Sequence, residues 1–172
     1  MGPVELTFFI VLSIFAVIGL VRGYARELGV TTMLLIALLV TVLLDTYAGS
    51  YWDRFLELFA GSDPAAQLTV QAVLFTLFLL VVAFISYQGE TLTFPGSGTN
   101  SFISFLLGLF NGYLLAGSIW YYLACANWPF GNVQPPYTKL YYAISTILPP
   151  AIFKWQYLLA LIVLLLILRV LR

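Results

Sequence analysis

Residues 33–44 read MLLIALLVTVLL, an apolar run interrupted only by Thr41 inside a longer stretch, residues 28–48, whose only charge is Asp45. A bilayer core about 30 Å thick needs roughly 20 such residues in a helix. The run is apolar all the way round, as a span requires, where a surface helix would show a single stripe. Working outward, the same signature returns at 4–22, 66–88, 102–125 and 152–169. The first and last of these are the shortest. Arg22, Lys154 and Arg169 can extend them by carrying their charges to the interface. The expected fold is all-α, a polytopic membrane helix bundle of about five transmembrane helices with one or two interfacial amphipathic helices.

Composition agrees. Of 172 residues, 62 % are hydrophobic and 8 % charged, with a mean hydropathy of +1.03. A soluble domain carries about 25 % charged residues. The lipid bilayer is therefore the first partner. Seven Lys and Arg balance seven Asp and Glu, so nothing in the charge points to nucleic acid. There is no histidine and one cysteine, Cys125, which removes axial His ligation of a haem, a CxxC or zinc site and an intrachain disulfide. No cofactor or metal is expected. Nor is there a nucleophile–base pair, a paired carboxylate or a phosphate loop, so the chain does not read as an enzyme. The acidic start Met1–Glu5 reads as the flank of a retained helix, not a cleaved signal. Leu6 stands where a myristoylation start wants Ser or Thr.

The connections divide the chain into a four-helix core at 1–127, a Pro-rich connection with an interfacial segment at 128–150, and a fifth transmembrane helix at 151–172. Gly23–Glu27 is short enough to make helices one and two a tight antiparallel hairpin. Residues 50–63 place Tyr51, Trp52, Phe55, Leu58 and Phe59 at helical spacing around Asp53, Arg54 and Glu57, which predicts a short helix lying in the interface. Residues 89–101 carry strong turn signals. Tyr137–Leu148 reads as a second interfacial helix, with Tyr137, Tyr141 and Tyr142 as belt aromatics. Arg22, Arg26, Arg169 and Arg172 put the N-terminus outside and the C-terminus in the cytoplasm.

Two constellations stand out. Ser104, Gly108, Gly112 and Ala116 recur every four residues and share one helix face, and Gly19–Gly23 is a second GxxxG pair. Small residues let helix backbones approach closely in lipid. The partner helix belongs either to the same chain or to another protomer or subunit, in a homo-oligomer or a hetero-complex with other membrane subunits. Arg22 and Arg26 share a face if the helix continues, and Glu27 can neutralise one of them. They are topology anchors or a contact for an anion or a partner. Intramembrane polar groups are few: Glu5, Asp45, Gln71, Glu90 and Asn111, the last reading as a cross-helix hydrogen bond. None is a charge at the bilayer centre.

Two blocks resemble the colicin V production protein (CvpA) family of small bacterial inner-membrane proteins. One is the run Gly19 to Leu28, with its Arg22-Gly23 and Arg26-Glu27. The other is Gly96-Ser97-Gly98-Thr99-Asn100 leading to Gly108 and Gly112. Ser145–Pro150 is a weaker echo. Asn100 and Ser101 stand where the family tends to keep an acidic–basic pair, Ser104 where it has a glycine, and Asn111 where it has a basic residue. The resemblance implies a multi-pass protein of the bacterial inner membrane, acting in envelope homeostasis or export without a known catalytic step. The alternative is an accessory structural subunit of a larger respiratory or photosynthetic complex. A small channel or transporter lacks the polar lining it would need.

Overall fold

The computed structural model describes residues 2–89, 94, 100–131 and 133–171. Met1, Glu90, Gly96, Ser97, Gly98, Thr99 and Arg172, named above, lie outside the described residues, as does most of the expected turn at 89–101. Every regular element among the described residues is a helix: α1 Pro3–Arg22, α2 Tyr24–Tyr47, α3 Gly49–Ala60, α4 Pro64–Gln88, α5 Ser101–Cys125, α6 Lys139–Ser145, α7 Pro149–Ile152 and α8 Trp155–Val170. Local chemistry sets the boundaries. Pro3 and Pro64 open α1 and α4 where a missing N–H costs nothing. Asp63 caps α4 by accepting from the Ala65 N–H at 3.1 Å, and Asn100 caps α5 by accepting from Ile103 at 3.3 Å.

Four helices, α1, α2, α4 and α5, are long and apolar enough to cross a membrane. The fifth expected span is shorter. α8 has 16 residues, about 24 Å at 1.5 Å per residue, because Lys154 stays outside it as its N-cap. The N-terminal pair also differs from expectation. α1 and α2 are joined by Gly23 alone, yet α1 packs along α5 and touches α2 only sparsely. They do not form a tight hairpin.

α2 is the most enclosed span and forms the centre of the bundle. Leu34, Leu35 and Leu38 of α2 meet Leu79 of α4, Leu114 of α5 and Leu158 of α8 in the main core. Cross-helix pairs fix the directions. Gly19 lies against Gly108 and Phe8 against Trp120, so α1 is antiparallel to α5. The Tyr122 hydroxyl donates to Thr41 Oγ1 at 2.8 Å, and Thr31 reaches Asn111, so α2 is parallel to α5. Tyr87 meets Glu27 and Gln71 meets Asp45, so α4 is antiparallel to α2.

α3 has the expected amphipathic character. Leu56 is buried and Trp52 stacks on Phe75 of α4, while Tyr51, Leu58 and Phe59 stay exposed. The second interfacial segment is a seven-residue helix, α6, followed by the single turn α7. Tyr142 is exposed as a belt residue should be. Tyr141 is buried with Phe8, Trp120, Ile144 and Leu148 in a second, smaller core.

Candidate functional site

The site lies where α1 gives way to α2. Gly23 has φ +83°, a left-handed conformation that a side chain would resist, and the helix breaks there for one residue. Arg22 therefore closes α1 and Glu27 falls in the first turn of α2. Each sits at the helix end whose dipole favours its charge. The break also separates Arg22 from Arg26, so the two do not share one helix face. Arg26 is exposed on α2.

Glu27 is fully enclosed, at 0 % exposure. Its Oε2 accepts from the Tyr87 hydroxyl at 3.0 Å and from Asn111 Nδ2 at 2.9 Å. The same Asn111 amide nitrogen lies 3.2 Å from the Glu27 carbonyl oxygen. Asn111 Oδ1 accepts from the Thr31 hydroxyl at 2.7 Å. Arg22 Nε stands 3.7 Å from Glu27 Oε1, within ion-pair reach but beyond a hydrogen bond. The guanidinium also lies over the Tyr87 ring, 4.6 Å from its centroid. Two buried polar atoms, Arg22 Nη1 and Glu27 Oε1, have no hydrogen-bond partner among the described residues. Phe94 is buried in the main core and donates its backbone N–H to the Ala25 carbonyl at 3.3 Å.

The burial of this carboxylate adds a charge, in the first turn of the α2 span, to the few polar groups named inside the spans. Sequence placed Glu27 in a link; the helix break lets its side chain turn inward onto Tyr87 and Asn111. Enclosure also removes Glu27 from any direct contact with an outside partner. Asn111 was legible as a cross-helix hydrogen bond. Tyr87 and Thr31 were missed. Thr31 could have been found, four residues after Glu27 on the same face, whereas Tyr87 looked like an ordinary span-end aromatic.

The small-residue positions take two roles. A Cβ on Gly19 would run into the Ser104 carbonyl oxygen and come within 2.9 Å of Gly108 Cα; one on Gly112 would come within 2.9 Å of Phe15 Cβ. Ser104, Gly108 and Gly112 thus face α1 of the same chain. Ala116, the fourth member, lies on the floor of a groove between α1 and α4. Gly23 packs against nothing: a Cβ there meets no atom within 4 Å, and its part is the backbone break. Gly117, which drew no attention in the sequence, is held tightly by Pro149, 2.6 Å from where its Cβ would be.

At the far end of α1, Glu5 is also buried and accepts from the Thr138 hydroxyl, which in turn caps α6 by accepting from the Tyr141 N–H at 3.1 Å. Among the described residues, no group of three His, Cys, Asp or Glu side chains comes together that could hold a metal ion.

No curated protein and no solved structure matches this chain. The family model described as "Colicin V production protein" matches residues 4–154, from the start of α1 to the N-cap of α8. The buried Arg22–Glu27 junction, the glycine seam between α1 and α5, and the connection through α7 all fall within that match, and the chain belongs to the colicin V production protein family.

Proposed function

We propose that this chain works without catalysis in the bacterial inner membrane, in envelope homeostasis or export. Its N-terminus lies outside, its C-terminus in the cytoplasm, and the Arg22–Glu27 junction is its functional centre. The observation that carries this reading is a carboxylate sealed inside an apolar bundle and paired with a partly exposed arginine. Well-packed apolar residues could replace such a pair at little or no cost in stability. An ionisable group kept within a membrane bundle is therefore a functional candidate. The pair joins α1 and α2 and, through Tyr87 and Asn111, α4 and α5, so a change there reaches all four long spans. The Gly108–Gly112 face is filled by α1, so a homo-oligomer or a complex with other membrane subunits would use another face.

The test is complementation of a strain lacking the gene. Glu27→Gln keeps the size and an acceptor oxygen but removes the charge. Arg22→Lys with Arg26→Lys keeps the charge but removes the planar fork. Membrane level, detergent sensitivity and release of an exported peptide are scored. Normal levels with failed complementation support the reading; full complementation by both variants overturns it. Cysteines at Ser62 and Tyr24, in a Cys125→Ser background, test the orientation. An impermeant thiol reagent on intact cells should label the first and spare the second.

A further inference from the structure

The junction leaves two charged groups with an unmet atom each. Glu27 Oε1 and Arg22 Nη1 are both buried, and neither has a hydrogen-bond partner among the described residues. Trp52 Nε1, Thr76 Oγ1 and Trp120 Nε1 share that condition, but each belongs to a neutral group. A charged group left unmet costs more than a neutral one. The two charged atoms also belong to a single ion pair, in which Arg22 Nε stands 3.7 Å from Oε1. A polar contact longer than about 3.5 Å asks for a molecule between its partners.

The other donors around this carboxylate are already engaged. The Tyr87 hydroxyl is spent on Oε2. Asn111 Nδ2 divides its two hydrogens between Oε2 and the Glu27 carbonyl. The Thr31 hydroxyl is shared by the Glu27 carbonyl, at 2.9 Å, and Asn111 Oδ1. Arg22 is held back from Oε1 because its guanidinium rests on the Tyr87 ring. Nη1 lies in the same rigid plane as Nε, so it is within two hydrogen-bond lengths of Oε1. One small molecule can touch both.

Its chemistry follows from the two atoms. It must accept from Nη1 and donate to Oε1. It must be neutral, because the charges of Arg22 and Glu27 cancel and an added ion would be uncompensated inside an apolar bundle. It must be small, because Glu27 is fully enclosed and a longer ligand would need a channel to reach it. We propose that one water molecule is built into the junction, bound between Arg22 Nη1 and Glu27 Oε1. Two polar partners are enough to hold a buried water, which then counts as part of the structure. It is shut in by Arg22, whose side chain is 18 % exposed. Arg22 and Glu27 are joined through it, and the 3.7 Å separation of the pair is its consequence.

The experiment is proton-detected solid-state NMR of the full chain in lipid bilayers, labelled with carbon-13 and nitrogen-15. Arg22 and Glu27 are assigned through their own backbones, so no variant has to fold. Magnetisation starting on water protons should reach Glu27 Cδ and Arg22 Nη1 together, severalfold faster than it reaches the Leu38 side chain in the main core. Nitrogen–carbon recoupling should place Nη1 farther from Glu27 Cδ than a direct hydrogen bond allows. Transfer to neither group, or to one of them alone, overturns the proposal; Arg22 alone would mean solvent touching its exposed part. A direct contact between Nη1 and the carboxylate overturns it as well, with or without water nearby. The water is independent of what the junction does in the cell. A dry junction whose variants still fail complementation would sink the water and leave the proposed function standing.

Discussion

The two ends of α2 each tie that helix to α4 through a carboxylate, but they do so under opposite conditions. At one end Asp45 lies exposed and accepts from Gln71 Nε2 at 2.8 Å. At the other, Glu27 is sealed among Arg22, Tyr87 and Asn111. Headgroups and water can solvate Asp45 if Gln71 leaves. Nothing outside the protein can do so for Glu27. The contact type is the same, yet only one end is held by protein alone, and its loss should cost several times more.

The sharpest way to break the contrast is Glu27→Ala. It leaves Arg22 charged, largely buried and unpaired, and should lower stability by about 3–5 kcal/mol. Unfolding in mixed micelles by SDS titration, followed by circular dichroism, reads this directly. Asn111→Leu should follow at about 3 kcal/mol, because it removes a donor from the buried carboxylate and leaves the Thr31 hydroxyl without its side-chain acceptor. Tyr87→Phe removes one charged hydrogen bond while keeping the ring under Arg22, so about 1.5 kcal/mol is expected in the same titration. Asp45→Ala should cost less than about 0.5 kcal/mol, since its bond is exposed. If Asp45→Ala matched Asn111→Leu, the two ends would be equivalent and the argument from solvation would fail.

Much of the fold was legible, and for a physical reason. Span positions follow from length and apolarity alone, and α1, α2, α4 and α5 fall close to the expected stretches. Facing was not. A helix that is apolar all round carries no stripe to say which side meets protein. Chain proximity suggested that α1 would lie on α2. Instead the matched glycines at Gly19 and Gly108 allow backbone contact with α5 that no larger pair would permit. The glycines themselves could be read; their pairing could not. The site was half legible in the same sense. Arg22, Arg26 and Glu27 were identifiable as charges at a junction, but flanking arginines suggest an interface. Only the single-residue break at Gly23 turns Glu27 inward while Arg26 stays out.

The pairing of Gly19 with Gly108 has a consequence in time. Roughly 90 residues separate them, and at about 5–20 residues per second synthesis of that stretch takes several seconds or more. Throughout that interval α1 sits in lipid with its glycine face bare, and for most of it Glu27 has neither Tyr87 nor Asn111 to solvate it. Arg22, five residues away, is already made. During biogenesis the ion pair is thus a local escort for a carboxylate whose permanent hosts have not been synthesised. Nascent chains arrested before residue 87 should keep α2 inserted with Arg22 present. They should lose insertion with Arg22→Ala, whereas the finished protein, holding Tyr87 and Asn111, should tolerate the same change better.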